Sequence, residues 1–161
     1  MKLGDLVRIG RLKQRLIAGP LPNPLTFVYF FFVTGFDGLQ LAILDSTPHT
    51  PGPWGPPAAW ASVVLGIVFL VLAYRFNGGS SGADFLPRYF SLSAVIGLYT
   101  AGPLQILLRL PRWLPSLEVG PGYAPALVLG TNLLMFSLIL VNLRDVARRT
   151  ASGGSQPSRA S

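Results

Sequence analysis

Cysteine is absent from the 161 residues, histidine occurs once, and Asp and Glu together number six. Without cysteine the chain has no disulfide, no thiolate nucleophile and no iron–sulfur ligand. The single histidine, His49, lies in a proline-rich stretch away from any carboxylate cluster, which is not a metal-binding pattern. The carboxylates are scattered at Asp5, Asp37, Asp45, Asp84, Glu118 and Asp145. A serine triad needs a positioned base and an orienting acid, and an acid pair needs two neighbouring carboxyls. Neither is easily built from this inventory. The expectation is a protein that is not an enzyme and takes no metal or cofactor.

Charge of either sign is scarce as well. Only 12% of residues are charged while 50% are hydrophobic, against about 25% charged in soluble domains. The length suits one domain. The net charge of +7 does not point to nucleic acid, because the cations cluster at the chain's two ends. Lys2, Arg8, Arg11, Lys13 and Arg15 precede the apolar region, and Arg144, Arg148, Arg149 and Arg159 follow it.

What the chain has in abundance is long uncharged runs. They cover 25–44, 58–74, 89–108 and 124–143, with Asp37 as the exception. A helix needs roughly 20 predominantly apolar residues to cross about 30 Å of hydrocarbon. Continuous runs without strict alternation are helical and do not suit barrel strands. The predicted fold is therefore all-α, a polytopic membrane protein with a compact bundle of four transmembrane helices in residues 20–149. A basic amphipathic helix (1–19) precedes the bundle and a disordered Ser/Gly-rich tail (150–161) follows it. The first run is too long for a signal-peptide core, and no small-residue cleavage site follows a short apolar stretch, so it is read as an uncleaved span.

In the leading segment Arg8, Arg11 and Arg15 share one helical face, with Leu3, Leu6, Val7 and Ile17 opposite. Such a helix suits the interface of an anionic bilayer, where each cation contributes about 1 kcal/mol; a plain topology signal is the alternative. Both ends are basic and the loop 45–57 has no Lys or Arg, which predicts N-in/C-in topology in a bacterial-type cytoplasmic membrane. Arg109 and Arg112 in the third loop run against that bias, while Trp54, Trp60 and Trp113 suit the outer interface.

The loop 45–57 carries prolines at 48, 51, 53, 56 and 57 and reads as a stiff, extended lid. Asn77–Gly82 reads as a glycine-rich linker supplying slack; it lacks the Gly-Lys-Ser/Thr ending of a phosphate loop. Asp84 and Arg88 are spaced for an i,i+4 pair at a helix start. Small residues recur along each span, at Gly35 and Gly38, at Ala59, Ser62, Gly66 and Ala73, at Ser93, Gly97, Thr100 and Ala101, and at Ala126, Gly130 and Ser137. In lipid such stripes let helices approach closely. They predict either the packing face of the bundle or homo-oligomer contacts, and no internal repeat relates the two helix pairs.

Asp37 is the only ionisable residue well inside a run, where a charge costs at least about 2.5–3.5 kcal/mol. Thr34 and Gln40 flank it at helical spacing. Counting to the same depth along the other runs reaches Ser62, Tyr99, Thr100, Thr131 and Asn132, which predicts one intramembrane polar cluster. An acidic residue in the first of four short helices resembles the small multidrug exporters. Their arrangement implies proton-coupled exchange, although this chain is longer and lacks the motif around their acidic residue. The expected function is association: a non-catalytic accessory or assembly subunit whose partners are the lipid bilayer and a membrane protein or a second copy. The alternative is a homo-oligomeric transporter or channel using Asp37.

Overall fold

The computed structural model describes residues 8–45, 55–82, 84–114, 119–120 and 122–153, with side chains described for all of these but 36–45, 55, 58, 59, 112 and 153. The described chain is all-α: α1 Ile9–Ala18, α2 Asn23–Asp45, α3 Gly55–Phe76, α4 Phe85–Trp113 and α5 Tyr123–Gly153, with a 3₁₀ turn at Gly79–Ser81. Two stretches, Phe85–Pro111 and Tyr123–Ser152, are long and apolar enough to cross a membrane, and Trp60–Phe76 is a shorter apolar helix among the described residues.

Local chemistry explains the boundaries. Pro24 in α2, and Pro56 and Pro57 in α3, sit in first turns, where a missing N–H breaks no intrahelical bond. Gly19 separates α1 from α2 with a positive φ of 155°, a conformation open to glycine. Pro103 and Pro111 lie inside α4 and the helix runs through both. α5 continues to Gly153, so the first residues of the expected tail are helical; residues 154–161 lie outside the description.

The helices form an open row and not the expected compact bundle. α2 packs on α4, α4 on α5, and α5 on α3; α2 and α3 make no comparable contact with each other among the described residues. Aromatic pairs pin the outer members of the row. Phe30 of α2 meets Phe90 of α4 edge to face at 5.0 Å, and Phe69 of α3 stacks on Phe136 of α5 at 4.9 Å. Such pairs contribute about 0.5–1.5 kcal/mol beyond their burial. The glycines of the small-residue stripes do little of this joining, whereas Ala73 and Ala101 are buried; Gly38 and Ala59 lie outside the residues whose side chains are described. A Cβ on Gly35, Gly97 or Gly130 would meet nothing within 4 Å, and one on Gly66 would only reach the Phe136 ring. Ala126, Gly130 and Ser137 face outward. Bulky rings make these contacts, and Gly35, Gly97 and Gly130 are left beside space.

The core lies at one end of the row. Leu92, Val95 and Ile96 of α4 pack with Ile139, Leu143 and Val146 of α5, and Leu12 and Leu16 of α1 complete the cluster. α1 thus lays its apolar side on α4 and α5, where the sequence predicted a helix resting its apolar side on lipid. Leu3, Leu6 and Val7 lie outside the described residues, and Ile17 is partly buried against the core. Arg8, Arg11 and Arg15 keep to the exposed side of the helix. Lys13 pairs with Asp145, whose other oxygen accepts from Arg149 Nε at 2.8 Å.

The α3–α4 turn belongs to the same end and is packed, where slack was expected. Gly78 and Gly79 adopt left-handed backbone conformations (φ 107° and 60°), open to glycine at no steric cost. A Cβ on Gly82 would fall 2.7 Å from Asn77 Nδ2 and closer still to the Asn77 carbonyl oxygen. Asn77 is buried, and its Oδ1 accepts from Arg88 Nη1 at 3.2 Å. Arg88 Nη2 donates to Thr150 Oγ1 at 3.1 Å, and that hydroxyl donates to the Val146 carbonyl at 2.9 Å. The pair expected between Arg88 and Asp84 is therefore replaced by neutral partners on α5 and the turn, with Asp84 adding its charge at longer range. Nearby, the Arg144 guanidinium lies 5.6 Å from the Phe76 ring centre, a cation–π contact joining the ends of α5 and α3.

Candidate functional site

Because α2 and α3 flank the α4–α5 pair without closing on each other, they become the walls of a groove with α4 and α5 as its floor. The groove holds a cavity of about 400 Å³. Phe32 and Val33 line it from α2, and Gly66 and Leu70 from α3. The floor is mixed. α4 contributes Tyr89, Ser93, Gly97, Thr100, Ala101 and Leu104, and α5 contributes Val128, Thr131, Asn132, Met135 and Phe136 among others. The described lining residues carry no charge.

Three members of the expected polar cluster, Thr100, Thr131 and Asn132, line this one cavity. Three others are not in its lining: Thr34 is exposed, Ser62 is half-buried on α3, and Tyr99 is 58% exposed. Asp37 and Gln40 belong to α2 but lie outside the residues whose side chains are described. Trp60 and Trp113 are exposed toward the end of the row remote from α1; Trp54 and His49 lie outside the described residues.

The polar groups differ in how they are satisfied. Thr100 Oγ1 turns back on its own helix, 3.1 Å from the Ile96 carbonyl and 3.2 Å from that of Gly97. Ser91, two residues before Ser93, does the same to Arg88 O at 3.1 Å. Ser93 Oγ does not; it is buried and has no hydrogen-bond partner. A buried hydroxyl left so costs roughly 1–3 kcal/mol. The sequence reading took Ser93 and Gly97 for a packing stripe. Their spacing with Thr100 does place them on one face, but that face looks into the cavity and not onto a helix.

Neither a known protein family, nor a curated protein, nor a solved structure matches the chain. Among the described residues no group of three or more His, Cys, Asp or Glu is placed to hold a metal ion. What the groove offers chemically is an apolar slot with a hydroxyl, a threonine and an amide on its floor.

Proposed function

We propose that the chain is an integral membrane protein in which α2–α5 all span the bilayer, acting by association as a non-catalytic accessory or assembly subunit. The observation that carries this reading is the apolar outer surface of the row. Phe27 and Phe31 of α2, Val64 and Ile67 of α3, and Val141 of α5 are each more than half exposed. Soluble monomers rarely expose apolar patches beyond a few hundred Å², whereas lipid or a partner's helices accept such a surface. The cysteine-free, carboxylate-poor composition supports the non-catalytic half of the proposal.

The orientation proposed is N-in and C-in in a bacterial-type cytoplasmic membrane. Its support is the meeting of α1, the α3–α4 turn and the end of α5 at one pole. Arg8, Arg11, Lys13, Arg15, Arg75, Arg88, Arg144, Arg148 and Arg149 gather there, and the inner leaflet favours such clustering. A homo-oligomeric transporter is the second reading, favoured by the polar-floored cavity. Four helices in an open row do not enclose a route, so that version requires at least a second copy.

The test is the mass and composition of the complex extracted in mild detergent from native membranes. A second polypeptide in fixed stoichiometry, recovered reciprocally when either chain is tagged, is the expected result. A monomer overturns the accessory role. A pure homo-oligomer shifts the reading to transport, where loss of proton-driven flux in Asp37→Asn is the next measurement.

A further inference from the structure

We propose that the groove between α2 and α3 binds one uncharged long-chain amphiphile, an acyl or prenyl chain ending in a hydroxyl or carbonyl group. The proposal rests on the reading that α2–α5 lie in a bilayer. It goes beyond that reading by giving the cavity an occupant.

Three observations converge on this class of ligand. Ser93 Oγ is buried and unpartnered, while serines and threonines elsewhere on α4 and α5 (Ser91, Thr100, Thr150) bond to their own helix carbonyls. A hydroxyl that does not turn back, in apolar surroundings, calls for a partner from outside the helix. Thr131 and Asn132 bring a hydroxyl and an amide to the same cavity, so a ligand oxygen there meets both donors and acceptors. No described lining residue is a cation or a carboxylate, so none of them would supply the counter-charge that a phosphate or an amine needs in such a slot.

Size selects between a lipid and a helix. The cavity measures about 400 Å³, roughly the volume of one turn of an α-helix about 10 Å across. A partner's transmembrane helix runs many turns and does not fit; a single chain with a small polar end does. The walls leave an entry, since α2 and α3 do not pack together among the described residues. Such an opening faces the hydrocarbon, the phase in which these molecules dissolve.

The experiment uses the full chain in phosphatidylcholine nanodiscs with a diazirine-bearing long-chain alcohol as photoaffinity probe, mapped by peptide mass spectrometry. Label is expected on α4 around Ser93 and on α5 around Asn132, and unlabelled long-chain alcohol should compete for it. Gly97→Leu puts bulk into the cavity from a position where a Cβ meets nothing within 4 Å, and should cut this labelling at least about five-fold. Ser93→Ala leaves the packing intact and should raise the half-saturating probe concentration roughly five-fold, the scale of one lost hydrogen bond. Label spread over the outer faces of α2 and α3 and indifferent to both variants overturns the proposal. So does cross-linking through the groove to a second polypeptide or a second copy. Chain released from native membranes by alkaline carbonate overturns the bilayer reading and this proposal together; chain retained there with indifferent labelling overturns this proposal alone.

Discussion

Arg88 and Asn77, eleven residues apart in the chain, meet at 3.2 Å through Nη1 and Oδ1, and the two residues are only 3% and 2% exposed. The same guanidinium reaches Thr150 on α5. One side chain therefore ties the turn after α3, the first turn of α4 and the last turns of α5. A guanidinium can do this because its donors are fixed in a planar fork. Hydrogen bonds to charged groups contribute about 1.5–3 kcal/mol. Asn77→Ala is expected to destabilise the protein by about that amount, read as a lowered unfolding midpoint in detergent. Arg88→Lys should lower the midpoint as well, because a point-like ammonium does not span both acceptors. Unchanged midpoints would show that the tie contributes nothing to stability.

Gly82 and Gly97 make opposite predictions for the same substitution. A Cβ on Gly82 runs into Asn77, whereas one on Gly97 meets open space. Gly82→Ala must push apart the turn that seats Asn77 and should lower the unfolding midpoint. Gly97→Ala lies in the interior of α4 and should raise stability by roughly 0.5–1 kcal/mol through helix propensity. Equal effects of the two substitutions would contradict the packing described for the turn.

The helices themselves were legible in the sequence. Each uncharged run lies inside a helix, and prolines and glycines bracket them for plain steric reasons. The order of helices in the row was not legible. α2 and α3 are apolar on nearly every side, so no face announces its neighbour. Small residues were the available signal; Ala73 and Ala101 are buried as a packing face requires, but the glycines misled, because Phe30–Phe90 and Phe69–Phe136 make the contacts of the outer helices. Ser93 and Gly97 then fall beside a cavity. Of the residues that counting along the runs grouped, Thr100, Thr131 and Asn132 line that cavity, while Thr34, Ser62 and Tyr99 do not. The Arg88 tie was missed because Asp84 offered a local partner, and nothing in the spacing told that Thr150 would be nearer.

The absence of native cysteine makes orientation directly measurable. Ser81→Cys places a thiol on the exposed α3–α4 turn, and Gly120→Cys places one on the exposed approach to α5. In intact cells a membrane-impermeant maleimide should label the Gly120 variant and spare the Ser81 variant until the membrane is permeabilised. The reverse pattern would invert the proposed topology. Labelling of both in intact cells would contradict α4 as a single span separating the two sites.

The docking of α1 is the sharpest departure from the sequence reading, and it separates two physical accounts of the same basic helix. A helix held to lipid by Arg8, Arg11 and Arg15 should leave the surface when anionic lipid is removed, because its attraction is electrostatic. A helix held by Leu12 and Leu16, both nearly inaccessible, and by the Lys13–Asp145 pair should stay. Burying each leucine side chain contributes about 1.5–3 kcal/mol, and truncating one to alanine costs about 2–5 kcal/mol with its cavity. Trypsin cleavage at Lys13 and Arg15 in nanodiscs therefore should be slow and nearly the same in neutral and anionic lipid. Leu16→Ala should accelerate it several-fold in both. Exposed ion pairs are weak, so Asp145→Asn, which breaks the pair with Lys13 and keeps both cleavage sites, should accelerate it far less. Cleavage that tracks lipid charge and ignores Leu16→Ala would return α1 to the bilayer surface.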